Sequence, residues 1–144
     1  MEDIVVQLRQ DKVINKYQEI YLSYNSIYIQ FQNLEALKRM IFLQWYSVSE
    51  PLALSGLVGL SNEVQKNNIK VTENLIKDNF IDKEFKIMLL HYYAVSNWYF
   101  DSFAIKLSID KLDLKDMSKV ACVEDFDNRG QMGEYWKSLN KLVR

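Results

Sequence analysis

His91 and Cys122 are the single histidine and the single cysteine of this chain, so any imidazole or thiol chemistry must run through them. A zinc ion wants three or four His, Cys or carboxylate ligands. Glu84 and His91 stand seven residues apart and can share a helix face, but two donors do not make a site. A di-metal centre in a helical bundle needs a Glu-x-x-His pair from each of two helices, and the chain has neither. His91 lies between Leu90 and Tyr92, where an imidazole at a half-buried position is the plain expectation. Cys122 sits in Val120-Ala121-Cys122-Val123, and apolar neighbours favour a small inert thiol over an activated thiolate. We expect no metal and no cofactor.

The segment Asp125-Phe126-Asp127-Asn128-Arg129-Gly130 begins like a calcium-binding loop, with aspartates at its first and third places and glycine at its sixth. The pattern then fails. Arg129 stands where an oxygen ligand belongs, and Trp136 stands where a bidentate glutamate belongs. An acidic turn ahead of a final helix is the simpler reading. Gly130-Gln131-Met132-Gly133 and Gly56-Leu57-Val58-Gly59 lack the lysine of a phosphate loop. No serine stands in Gly-x-Ser-x-Gly. No catalytic residue is assigned, and the expectation leans away from an enzyme.

Aromatic residues are where this sequence is rich: three tryptophans, nine tyrosines and seven phenylalanines. Tyr17, Tyr21, Tyr24, Tyr28 and Phe31 follow one another at spacings that place them on one helical face. Such a face is either a core stripe or a contact surface, because tyrosine combines a large rigid ring with a polar tip. Trp45-Tyr46 and Trp98-Tyr99 have Glu50 and Asp101 close behind them in sequence. The binding residues expected on these grounds are Tyr21, Tyr24, Tyr28, Trp45, Glu50, Trp98 and Asp101. Trp45 and Trp98 lie in apolar helical surroundings, so both are expected to be substantially buried.

The elements that carry these residues read as helices. Glycine occurs four times, proline once, and neither occurs before Pro51; strands need more frequent turn residues than that. The spacing predicts a helix from about Asp3 to Phe31, with Asn25-Ser26 as the place where it could break. A second is predicted from an Asn33 cap through Leu34, Leu37, Ile41 and Trp45 to Val48, with Pro51 ending it. Residues 52–60 read as a loop. Ser61 caps a third helix through Val64, Ile69 or Asn68, Val71, Leu75 and Ile76. Asp82 caps a fourth. On one side it carries Phe85, Leu89, Tyr92, Val95 or Ser96, and Tyr99; a neighbouring stripe holds Ile87, Leu90, Ala94 and Trp98. That wide apolar surface marks it as the most buried element. Residues 106–113 alternate like a short strand or a loop, and short helices are predicted at 114–123 and 131–143. Phe42 to Tyr46 echoes Val95 to Tyr99, which chance similarity between two buried helices explains.

Apolar residues make up 49% of the chain and the net charge is −1, which excludes a disordered chain. Basic residues are spread evenly and form no phosphate-neutralising cluster, so nucleic acid is not an expected partner. No apolar run reaches the ~18 residues that span a bilayer, and the acidic start Met1-Glu2-Asp3 is unlike a secretory signal. The expectation is a cytoplasmic, all-α, single-domain protein over residues 1–144. Its architecture is an irregular bundle, or a short stack of helical hairpins, of five to seven helices. Its expected role is non-enzymatic binding of another protein, in the manner of an immunity, inhibitor or adaptor protein, with self-association left open. The alternative is a small-molecule binder or enzyme with an aromatic pocket around Trp45 and Trp98, using Glu50 or Asp101.

Overall fold

The computed structural model describes residues 2–49, 60–112 and 126–143, and side chains between positions 17 and 139 within those ranges. Among the described residues five helices appear in order: α1 (Glu2–Phe31), α2 (Leu34–Ser49), α3 (Asn62–Lys77), α4 (Lys83–Asp101) and α5 (Gly130–Val143). A 3-10 turn, Ile109–Lys111, follows α4. No strand occurs among the described residues. The all-α bundle expected from turn-residue scarcity is therefore what the chain forms. The predicted loop at 52–60 lies outside the described residues except Leu60, and so does the predicted helix at 114–123. The alternating stretch 106–113 is a loop with the 3-10 turn in it as far as Leu112, and the strand option fails there.

The caps explain where the helices start. Asn33 Oδ1 accepts the Ala36 N–H at 3.0 Å, Ser61 Oγ accepts the Val64 N–H at 3.3 Å, and Asp82 Oδ1 accepts the Phe85 N–H at 2.7 Å. Each satisfies one N–H that the first turn leaves without a helical partner. Helix α1 runs through Asn25-Ser26 without a break. Ser23 and Ser26 turn their hydroxyls back onto the Glu19 and Leu22 carbonyls, so neither competes for the ladder. Helix α3 ends on Asn79 in the left-handed region at φ 58, with the Phe80 N–H returning to the Leu75 carbonyl at 2.9 Å. Asparagine tolerates that conformation better than most residues do.

The chain divides into two compact units, residues 1–68 and 69–144. In the first, α1 packs against α2. Helix α2 buries nine of its 16 residues, with Met40 to Trp45 buried in an unbroken run. It is enclosed on nearly every side, so α2 is more continuously buried than the predicted α4. Tyr21 is the aromatic of the α1 stripe that reaches the core, at 0% exposure. Its hydroxyl donates to Gln44 Oε1 at 2.9 Å. Asn68 Nδ2 donates to the same oxygen at 2.9 Å, and lies 3.4 Å from Met40 Sδ. Gln44 Nε2 in turn reaches the Gln65 carbonyl at 3.3 Å. Tyr21, Gln44 and Asn68 are all fully buried, and each side chain finds a partner within this network, although the Asn68 Oδ1 accepts no hydrogen bond from the described residues.

The second unit is built on α4 and α5. The α4 stripe Phe85, Met88, Leu89, Tyr92, Ser96 and Tyr99 is buried. Of the neighbouring stripe, Ile87 and Leu90 are buried while Ala94 and Trp98 are exposed. The stripe has left the core by Ala94, ahead of a kink at Ser96 (φ −143, ψ 60). Trp136 is buried against Phe126, with ring centroids 6.0 Å apart and planes at 15°, and donates its indole N–H to the Tyr92 hydroxyl at 3.0 Å. Glu73, 5% exposed, accepts the Ser108 N–H at 2.7 Å and also the Ser108 hydroxyl, fixing the loop before the 3-10 turn. On α3 the buried positions are Gln65, Asn68, Ile69, Thr72, Glu73 and Ile76. Val64, Val71 and Leu75, expected on its core face, are only partly buried.

Candidate functional site

Beyond the kink, the last turn of α4 turns two rings inward. Tyr99 is 3% and Phe100 1% exposed. Their rings meet at 5.2 Å, Tyr99 also packs edge-on against Phe103 at 5.3 Å, and Phe100 lies 6.1 Å from Tyr93. Each helical residue advances about 100° around the axis. Burying positions 99 and 100 therefore rotates positions 98 and 101 to the far side. Trp98 is 56% exposed there, and Asp101 is exposed beside it. Residues three apart on a helix are surface neighbours. Val95, 55% exposed, lies on the other side of the Ser96 kink, where that spacing no longer holds. The expectation that Trp98 is substantially buried is corrected: its stripe is already out of the core at Ala94, and the inward packing of Tyr99 and Phe100 keeps Trp98 outside.

The remaining expected site residues are scattered. Tyr21 is fully buried, and burial raises its phenol above the usual tyrosine range. Tyr24 is half-buried and accepts from Arg39 Nη1 at 3.1 Å, while the guanidinium also lies over its ring at 5.6 Å and pairs with Glu35 at 3.0 Å. Tyr28 is half-buried, and burial raises its phenol as well. Trp45 is buried at 1% exposure beside Phe42 and Tyr46, with centroids at 6.2 and 6.5 Å. Glu50 lies outside the described residues. Trp45 belongs to the first unit, and Trp98 and Asp101 to the second. The environments of Trp45 and Trp98 are thus opposite, which sets the sequence echo between α2 and α4 apart from any likeness of role.

The groups with reactive side chains are engaged in packing. His91 Nε2 lies 2.7 Å from the Tyr135 hydroxyl, and its ring touches those of Tyr135 and Trp136 at 5.8 and 5.1 Å. Burial lowers its pKa below the ordinary histidine value, so the ring is neutral at pH 7. Glu84, instead of joining His91, holds both terminal nitrogens of Arg129. Arg129 also lies over the Phe126 ring at 5.6 Å. Asp127 pairs with Lys137. Among the described residues no group of three or more His, Cys, Asp or Glu converges to hold a metal ion. Cys122 and Asp125 lie outside them. No described helix is long and apolar enough to cross a membrane.

Sequence reasoning missed Arg129, Glu84 and Tyr135 as residues that tie α5 and its preceding turn to α4. The signal available was the arginine that breaks the calcium-loop pattern: its place in an acidic turn already called for a carboxylate partner. No protein family matches the chain, and no curated protein or solved structure is significantly similar to it.

Proposed function

We propose that this chain is a non-enzymatic protein-binding module that meets its partner through the end of α4. One observation carries the reading: Trp98 is 56% exposed on a turn anchored by the buried Tyr99 and Phe100. Tryptophan is strongly enriched at the energetic centres of interfaces, where its large ring contributes contact area. A ring already held on a rigid element loses little conformational freedom on binding. Asp101, one turn on, supplies a polar edge of the kind that rims an interface core. An intracellular immunity, inhibitor or adaptor role fits this reading by analogy with small helical domains.

The test is affinity capture from the native host with wild type and Trp98→Ala, followed by quantitative mass spectrometry. A partner held by wild type and lost from the variant is the expected result. Partners retained equally by both proteins would remove the end of α4 from the interface.

A further inference from the structure

The carbonyls that end α4 are already settled: Trp98 and Tyr99 accept from the Ser102 N–H and hydroxyl, Phe100 from the Phe103 N–H and Asp101 from the Ala104 N–H. The helix has no basic residue in its last turn and ends on Asp101, an exposed carboxylate. One turn before it stands the exposed Trp98, whose ring faces are electron-rich. A carboxylate and an indole face thus share one surface, and both attract a cation.

Resting on the protein-binding reading above, we infer that the occupant of this surface is a protein segment presenting a basic side chain, arginine above all, next to apolar residues. A guanidinium stacks on an indole while its edge donates to a carboxylate, and Trp98 and Asp101 one turn apart offer both at once. The apolar neighbours of that arginine would cover the remainder of the Trp98 ring. Arginine suits the place better than lysine, because its flat, weakly hydrated head group stacks and forms directed hydrogen bonds together.

A phage-displayed library of random dodecapeptides, panned on the immobilised full chain, tests the partner chemistry. Enriched peptides are then synthesised and titrated by fluorescence anisotropy against wild type, Trp98→Ala and Asp101→Asn. Both changes lie on the surface, and circular dichroism verifies that each variant folds. The expected result is enrichment of arginine flanked by apolar residues. Asp101→Asn should weaken binding roughly threefold to tenfold, and added salt should weaken it further. Trp98→Ala should weaken it at least about tenfold. Enriched peptides without a basic residue, or binding lost in Trp98→Ala and unchanged in Asp101→Asn, would overturn the basic partner and leave the protein-binding reading standing. Binding indifferent to both variants, or no enrichment at all, would overturn both.

Discussion

Truncating two tryptophans of the same unit separates the interior from the contact surface. Trp136 is 0% exposed and Trp98 is 56% exposed. A large aromatic removes about 200 Å² from water when fully enclosed. At ~25 cal/mol per Å² that is about 5 kcal/mol for Trp136, an upper bound because the unfolded chain already hides part of its surface. Deleting a buried ring of this size costs about 3–5 kcal/mol once the cavity is included. Trp136→Ala also takes the indole donor from the buried Tyr92 hydroxyl, 3.0 Å away, which places the loss at the upper end of that range. Trp98 keeps less than half of its surface out of water, about 90 Å², or about 2 kcal/mol by the same coefficient. Unfolded-state burial trims this, and a site open to solvent leaves no cavity, so Trp98→Ala should cost about 1–1.5 kcal/mol. Equilibrium urea unfolding followed by circular dichroism reads the difference. With a slope of about 2 kcal/mol per molar, Trp136→Ala should lower the midpoint by about 2 M and Trp98→Ala by less than about 1 M. Equal losses for the two variants would refute the reasoning, because they would put Trp98 in the core and remove it from the binding surface.

Four further outcomes are expected. Tyr21→Phe should destabilise by about 1–2 kcal/mol in urea melts, since it removes a buried donor to Gln44 and keeps the ring. Gly133→Ala should lower the melting temperature, because the added Cβ would fall 2.2 Å from the Phe126 carbonyl oxygen, a backbone atom that cannot swing aside. Glu73→Gln should cost about 1.5–3 kcal/mol by weakening the charged acceptor of both Ser108 donors, and hydrogen exchange should show faster opening at Ser108. His91, being the single histidine, gives one unambiguous imidazole signal in proton NMR, and its midpoint should fall below 6.5. Because its folded pKa is depressed, its stabilising contribution is complete above pH 6.5 and is lost as the pH falls through the folded value. His91→Gln should flatten the stability profile in that window, and a midpoint at or above 6.5 would overturn the burial argument.

Local chemistry was legible in the sequence where the responsible interaction is itself local. The caps Asn33, Ser61 and Asp82 each reach an N–H three residues ahead, so short spacing alone identified them. The scarcity of glycine and proline dictated long helices for the same reason. Periodicity also found the α4 stripe through Tyr92 and Tyr99.

Tertiary structure decided what depends on a neighbour distant in sequence. Apolar periodicity could not mark Gln65, Asn68, Thr72 and Glu73 as the buried side of α3. The side chains of Asn68 and Glu73 meet Gln44 and Ser108, which lie 24 and 35 residues away, and buried polar groups are tolerated only where such partners exist. Nor could it separate Trp45 from Trp98, which share an apolar helical context. The difference is that α2 is buried in an unbroken run up to Trp45, whereas the outer stripe of α4 is exposed from Ala94 on and the packing of Tyr99 and Phe100 turns Trp98 outward. A residue's type and spacing determine which helix face it occupies. What that face meets is determined by the rest of the fold, because burial is a property of pairs of surfaces.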